Sequence, residues 1–290
     1  MFARGVCMAR RSDLEHRGRI FVYGAGKVGS ALARALRAHG VKTTLRASRR
    51  GLPGAIDADV VVLALRDRDL GPVARSLAEM RLVPKRAVVL HVAGALDAEP
   101  LAPLRGICAG VARMHPMISF ASTRVAPGLA RGNVLVQGDA SAVAWARRIA
   151  RWLGMTPRAM PGIDTVAYHA AAGLVANGCA ALAAVGAELL ARAGVPVGVA
   201  PRMLGPLLRS VADNVEGLAF PDALTGPVRR GDVAGVEKHL ATLRAKLPNA
   251  VGLYLAAVQA QLPLARAIGD APPEGFDAIA RVVDEAQARA

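Results

Sequence analysis

Short apolar runs alternate with segments of helical periodicity over the first 160 residues. Runs rich in Val and Ile predict buried strands, and helical patterns of 11 to 14 residues lie at 27–40, 70–80 and 141–154. The predicted strands read RIFVY (19–23), VKTTLRAS (41–48), ADVVVLALRD (58–67), RAVVLHVAG (86–94), GICAGVARMH (106–115) and NVLVQG (133–138). Strands that alternate with helices form βαβ units, which predicts an α/β, doubly wound parallel sheet with helices on both faces.

The pattern changes near residue 161. Helical periodicity without further strands continues over 162–194 and then over 198–218, 233–247, 249–269 and 275–290. The first of these segments is rich in Ala and Gly and uncharged from 170 to 187, which favours a domain spine or a dimer contact over a membrane span. We therefore predict a flexible tail over 1–18, an α/β domain over 19–161 and an all-helical domain over 162–290.

Three glycines separate the first predicted strand from the first predicted helix. Gly24, Gly26 and Gly29 have the spacing G-x-G-x-x-G between strand and helix that dinucleotide-binding domains use. The first glycine permits a tight turn, the second lets a diphosphate approach the backbone, and the third lets helix and strand pack closely. A glycine turn that holds no ligand is the alternative. The predicted diphosphate-binding residues are Gly24, Ala25, Gly26, Lys27, Val28 and Gly29.

The end of the second predicted strand, TTLRASRR, is basic and contains no acid. An NAD-binding domain usually has Asp or Glu here, about 20 residues after the glycines, to bond the ribose hydroxyls. Arg46, Ser48 and Arg49 instead suit the 2′-phosphate of NADP(H) through charge-assisted hydrogen bonds. The sequence therefore predicts NADP(H) as cofactor, with Leu65 near the end of the third predicted strand in the same site. A solvated basic turn is the alternative.

Histidines fall where ligands bind in a doubly wound fold. His91 and Gly94 lie at the end of the fourth predicted strand and His115 at the end of the fifth, so all three are predicted to bind substrate at the carboxyl edge of the sheet. His169 opens the first long helix, and Asn177 lies eight residues on along the same helical face. Reduction of a C=O or C=N bond needs a proton as well as a hydride, and His169 could supply it while Asn177 orients a ligand. A purely structural histidine is the alternative at each position.

A loop between two predicted helices, LTGPVRRGD, offers further polar groups. Thr225 and Arg230 are predicted to bind substrate, because an arginine here could hold a carboxylate with two hydrogen bonds. The alternative is an ordinary turn that ends in a helix N-cap at Asp232.

The formal net charge of +15 raises the question of nucleic-acid binding, but its distribution argues against that function. Twelve of the 37 basic residues lie among the first 50, beside only two acids. Neither an aromatic-interleaved basic strand nor a recognition helix accompanies them, and no zinc-ligand spacing occurs.

Three cysteines lie far apart, and the N-terminus lacks an apolar core. We therefore expect a soluble, cytoplasmic protein with no nucleic-acid, membrane or metal partner.

Five segments resemble, in this order, a family of Rossmann-like proteins with a helical C-terminal domain of unknown function: YGAGKVGSALARAL, HVAGAL, GVARMHPMISF, YHAAAGLVAN and LTGPVRRGDVAGVEKHL. The resemblance runs from about residue 19 to the end. This family is similar to pyrroline-5-carboxylate reductase, ketopantoate reductase, deazaflavin-dependent NADP reductase and the 6-phosphogluconate and β-hydroxyacid dehydrogenases. The resemblance implies a Rossmann domain followed by an all-helical, 6-phosphogluconate-dehydrogenase-like domain, and a homodimer.

The same resemblance implies an NADPH-dependent reductase of a small substrate, such as a ketopantoate-like 2-keto acid. In ketopantoate reductases and β-hydroxyacid dehydrogenases the first helix between the domains carries a catalytic lysine followed by asparagines. The place of the lysine looks like His169 here, and the place of the later asparagine looks like Asn177. This chain departs from the family pattern by having a histidine instead of the lysine and Gly173 at the intermediate position. A non-catalytic NADP(H)-binding redox sensor or regulatory protein is the alternative function.

Overall fold

Seven strands form one sheet in the computed structural model, which describes residues 18–125 and 127–289. The predicted tail lies outside these residues except for its last one, so it stays a prediction. The order across the sheet is β2-β1-β3-β4-β5-β6-β7. The strands are β1 (Arg19–Tyr23), β2 (Lys42–Arg46), β3 (Val60–Leu63), β4 (Val88–His91), β5 (Gly110–Pro116), β6 (Asn133–Gly138) and β7 (Thr156–Ala159).

The first five strands are parallel, as predicted, so their carboxyl ends meet at one edge of the sheet. Strand β6 instead pairs antiparallel with β5. The connection between them contains no helix among its described residues, and a chain that lacks such a crossover returns in the opposite direction. Strand β7 was not predicted, because it is short, polar and contains Pro157, which an edge strand tolerates.

Helices cover both faces of the sheet. On one face α1 (Lys27–Ala38) and α3 (Ala140–Trp152) pack with the side chains of Val60 and Val62. On the other face α2 (Asp67–Glu79) and the 3₁₀ segment Glu99–Leu104 pack with Val61 and Leu63. Because successive side chains of a strand point to opposite faces, a strand buried on both sides reads as one continuous apolar run.

Helices and the loops between them make up the described residues after β7, as predicted. They are α4 (Thr165–Arg192), α5 (Ala200–Leu218), α6 (Val233–Lys246), α7 (Val251–Ile268) and α8 (Pro273–Ala288). The chain divides into two compact units between Leu174 and Val175, within α4. The core of the second unit joins α6, α7 and α8 through Val236, Leu240, Leu255, Val258, Ile279 and Val283. The predicted domain boundary at residue 161 lies in the loop that precedes α4.

Two apolar helices are poorly covered within the chain. Helix α4 has no buried residue, and in α5 only Ala200 is buried. Five exposed apolar residues of α5 recur at helical spacing, at Met203, Leu207, Val211, Val215 and Leu218. By length and composition alone, two segments within residues 18–125 and 127–289 could cross a membrane, Thr165–Arg192 and Pro248–Ile268. This is weak support for a membrane location, because core helices of soluble proteins pass the same test.

Candidate functional site

The glycine turn lies between β1 and α1 at the carboxyl edge of the sheet. Gly24 has φ +113°, and a Cβ atom there would overlap the carbonyl oxygen of Ala64, just after β3. A Cβ atom on Gly29 would overlap the carbonyl oxygen of Gly24 in the same way. Gly24 and Gly29 therefore allow the close packing of strand, turn and helix that the sequence predicted.

Gly26 has a different environment. It is exposed at the start of α1, and a Cβ atom on it would meet nothing within 4 Å. The first turn of α1 has no acidic residue and no side-chain cap, so its N–H groups face this open space together with the positive end of the helix dipole. Such a space fits the diphosphate of a dinucleotide, and glycine keeps it open.

The basic turn after β2 lies beside this glycine turn, because the backbone N–H of Gly24 donates to the carbonyl of Arg46 at 2.8 Å. The guanidinium of Arg46 is partly occupied: it donates to the carbonyls of Arg50 and Gly51, each at 2.8 Å. Arg46 therefore braces the 3₁₀ turn Ser48–Arg50. Ser48 and Arg49 are exposed in that turn, so their side chains are free of the bonds that occupy Arg46 and could meet a 2′-phosphate.

His91, at the end of β4, is fully buried. Its Nδ1 accepts from the N–H of Ala93 at 3.1 Å, so the proton of the neutral ring is on Nε2, which lies 2.5 Å from the carbonyl oxygen of Asp97. Burial lowers the pKa of His91 to about 4. The hydrogen bond to Asp97 acts to raise this pKa, whereas the charge of Arg113 lowers it further. The ring therefore has no exposed surface and holds the segment after β4, which favours the structural alternative for His91. A contact of His91 with substrate stays a prediction.

His115 and His169 come together above Gly94. The two rings meet edge to face with their centroids 5.8 Å apart. A Cβ atom on Gly94 would overlap Nδ1 of His169 and lie 2.8 Å from Nε2 of His115. His169 is exposed and His115 half-buried, so both can be reached from solvent. Three of the predicted site residues are thus in one place.

Tyr168 completes this cluster and was missed from the sequence. Its hydroxyl lies 3.0 Å from Nδ1 of His115, and the two rings meet edge to face. Burial is the main reason that the pKa of His115 is lowered to about 4, and the neighbouring charges of His169, Arg113 and His91 lower it further. Burial also raises the pKa of Tyr168, although the charge of Arg113 opposes that shift. At neutral pH the cluster therefore holds an uncharged His115 and a protonated tyrosine.

The remaining predicted site residues belong to the second compact unit. Asn177 is exposed on α4, and Thr225 and Arg230 are exposed on the loop before α6. Their role in binding stays a prediction. The neighbouring Asp232 caps α6 by accepting from the N–H of Gly235 at 2.9 Å, which confirms the N-cap alternative for that residue. Within residues 18–125 and 127–289, no group of three or more His, Cys, Asp and Glu could hold a metal ion.

Comparison with known proteins locates one family match. Residues 133–261 match a domain of unknown function (DUF2520), which is somewhat less than half of the chain. No curated protein matches the sequence.

Several solved structures share the architecture. A Bacteroides fragilis protein described as an NADP oxidoreductase (BF3122) aligns over 84% of this chain and 97% of its own, at 21% identity and a TM-score of 0.66. Protein TM1727 of Thermotoga maritima aligns over 86% and 98%, at 22% identity and a TM-score of 0.60. Pyrroline carboxylate reductase of Plasmodium falciparum, solved with NADP bound, aligns over 87% and 98%, at 14% identity and a TM-score of 0.58. The chain therefore has the fold of these proteins, a Rossmann-like sheet followed by a helical region, as the sequence predicted.

Proposed function

We propose that this protein is an NADP(H)-dependent oxidoreductase. Its reaction is hydride transfer between the nicotinamide and the carbon of a C=O or C=N bond in a small, carboxylate-bearing substrate. The observation that carries the proposal is the open space at Gly26, at the same sheet edge as the His115–Tyr168–His169 cluster. Ligands of doubly wound folds bind at this edge.

The residues of the glycine turn would hold the cofactor. The N–H groups of the first turn of α1 suit the diphosphate, and Ser48 and Arg49 suit the 2′-phosphate. When bound, the reduced cofactor supplies the hydride. The chain itself then has to orient the substrate and provide a proton to the oxygen or nitrogen that takes up the electron pair.

His169 is the group we assign to that proton. It is exposed, it faces His115 across Gly94, and imidazole is the side chain that most often serves as a general acid. The substrate class is proposed as a 2-keto acid of the ketopantoate type or a cyclic imine carboxylate. The resemblance to ketopantoate reductase supports the first, and the shared fold with a pyrroline carboxylate reductase supports the second.

The cofactor assignment predicts a preference for NADPH over NADH. Arg49→Glu is expected to weaken NADPH binding by about 10- to 100-fold, because a charge-assisted hydrogen bond contributes about 1.5–3 kcal/mol, and to leave NADH binding nearly unchanged. Fluorescence titration with both nucleotides measures this, and Arg75→Ala on the surface of α2 serves as the control. Equal affinity of the unmodified protein for the two nucleotides would contradict the assignment of Ser48 and Arg49.

The proton assignment predicts that His169→Ala lowers kcat by about 10²- to 10⁴-fold, the usual contribution of a general acid, while NADPH affinity is kept. NADPH oxidation is followed against a panel of 2-keto acids and cyclic imines, with the exposed His39→Ala as the matched control. A protein that binds NADPH tightly and reduces none of these compounds would favour the redox sensor instead.

We also propose a homodimer in the cytoplasm, formed through α4 and α5. These helices expose apolar surface that water does not favour, and a second copy of the chain could cover it. Light scattering should give twice the monomer mass without detergent, and Val211→Glu should shift the population toward monomer. Arg209→Glu introduces the same residue two positions away on α5 and should leave the dimer intact. A monomeric mass for the unmodified protein, or a need for detergent, would rule the dimer out.

A further inference from the structure

The backbone under the histidine cluster is held by side chains at four consecutive carbonyls. Residues 94–97 follow β4, and each of their carbonyl oxygens has a side-chain partner from β4, β5 or α4. The bonds run from Arg113 Nη1 to Gly94 at 3.2 Å and to Leu96 at 3.1 Å, from Thr165 Oγ1 to Ala95 at 2.9 Å, and from His91 Nε2 to Asp97 at 2.5 Å. A segment held at every residue has little freedom to move, although it has no regular secondary structure.

Arg113 makes more of these contacts than any other side chain of the group. Besides the two carbonyls, its Nη2 donates to Oε1 of Gln137 on β6 at 2.9 Å, and its guanidinium carbon lies 5.8 Å from the centre of the Tyr168 ring. Arg113 is fully buried, and its Nε has no hydrogen-bond partner among the described residues. One side chain thus connects the segment after β4, strand β6 and the first turns of α4.

Burial of a guanidinium without a bonded carboxylate destabilises the fold, so packing alone does not explain why Arg113 is present. Burial of a charge destabilises a protein unless the charge is paired, and it lowers the pKa of Arg113. Within the described part of the chain, Arg113 forms no ion pair, and neutral oxygens receive its hydrogen bonds. The positive charge of Arg113 therefore needs an explanation in addition to the hydrogen bonds that its side chain donates.

The charge of Arg113 acts on His115. The two residues are two positions apart on β5, so their side chains leave the strand on the same face. The other groups that face His115 are Tyr168 and His169 from α4 and His91 from β4. No acid is among them, so a protonated His115 would lie near the positive charge of Arg113 without a carboxylate to offset it.

We propose that Arg113 is a positioning residue of the candidate site, which holds segment 94–97 and the Tyr168 ring in place and puts a positive charge on the same face of β5 as His115. This inference rests on the proposed function. An uncharged His115 that accepts from Tyr168 at Nδ1 has its proton on Nε2, the nitrogen closest to Gly94. Arg113 thereby directs a hydrogen-bond donor toward the place where a substrate oxygen or nitrogen would be polarised.

Two variants separate the charge of Arg113 from its geometry. Arg113→Met removes both, whereas Arg113→Lys keeps a charge and loses the fork that reaches two carbonyls. Histidine ¹⁵N resonances, assigned with His115→Gln, are followed from pH 4 to pH 8. We expect His115 to stay uncharged above about pH 4 in the unmodified protein, to titrate about one pH unit higher in Arg113→Met because a like charge is gone, and to stay near its original value in Arg113→Lys. Turnover should fall in both variants.

Unchanged titration of His115 in Arg113→Met would overturn the inference. If that variant does not fold, the unmodified protein still decides: a His115 that is charged at pH 6, or that carries its proton on Nδ1, contradicts the proposed arrangement. Affinity for NADPH should be the same in all variants, because the glycine turn is not altered. A protein that binds no NADPH would overturn the proposed function instead, while the titration of His115 would still report on Arg113.

Discussion

Gly24→Ala is expected to destabilise the first unit by about 2–6 kcal/mol. Two effects add: a φ of +113° costs a residue with a side chain about 1–3 kcal/mol, and a Cβ atom that overlaps the Ala64 carbonyl adds an overpacking cost of about 1–3 kcal/mol. The backbone of β3 cannot yield easily, because the N–H of Ala64 is bonded to the carbonyl of Tyr23 at 2.8 Å. At about 2–4 °C per kcal/mol for a domain of this size, the melting temperature should fall by roughly 4–24 °C.

Gly26→Ala is the matched control for this prediction. Gly26 has φ −73°, which suits any residue, and a Cβ atom there meets nothing within 4 Å. Thermal unfolding should therefore change by no more than about 4 °C, the effect of about 1 kcal/mol at a helix N-cap. NADPH binding should nevertheless weaken sharply, because the methyl group fills the space proposed for the diphosphate. Equal melting temperatures for the two variants would show that the turn is not packed as described.

Most of the fold could be predicted from local patterns in the sequence. The glycine spacing, the five parallel strands and the uninterrupted helix α4 each follow from neighbouring residues, whose periodicity and turn chemistry act over short distances. The reversed strand β6 is different. Its direction depends on a helix being absent from the connection after β5, and apolar periodicity within a strand is the same in either direction.

The candidate site was predicted only in part, because its contacts join residues that are distant in sequence. His115 and His169 were recognised from their positions at element ends, but nothing local shows that His91 turns inward or that Arg46 braces its own turn. Arg113 bonds to carbonyls 17 and 19 residues earlier. A charged residue in the middle of the buried run GVARMH was the one local signal for it, since charges are rarely buried without a partner.

Gly94→Ala is expected to lower turnover by about 10²-fold with little loss of stability. An added Cβ atom would overlap Nδ1 of His169 and lie 2.8 Å from Nε2 of His115, so it would push the two rings apart. A misplacement of about 1 Å in a catalytic group can cost about 10²-fold in rate. The side chain of His169 is exposed and can move into solvent to make room for the Cβ atom. Because no backbone has to shift, the fold should tolerate the change.

Single-turnover reduction at saturating NADPH, with thermal unfolding and NADPH titration alongside, tests this prediction. Gly54→Ala is the control, because a Cβ atom there meets nothing within 4 Å. Both variants should melt close to the unmodified protein and bind NADPH equally well, and only Gly94→Ala should lose rate. Retention of the full rate would mean that the reaction does not require His169 beside His115. Another group would then have to be the proton donor. Loss of rate together with NADPH affinity would instead place Gly94 against the cofactor, since the glycine turn itself is unaltered.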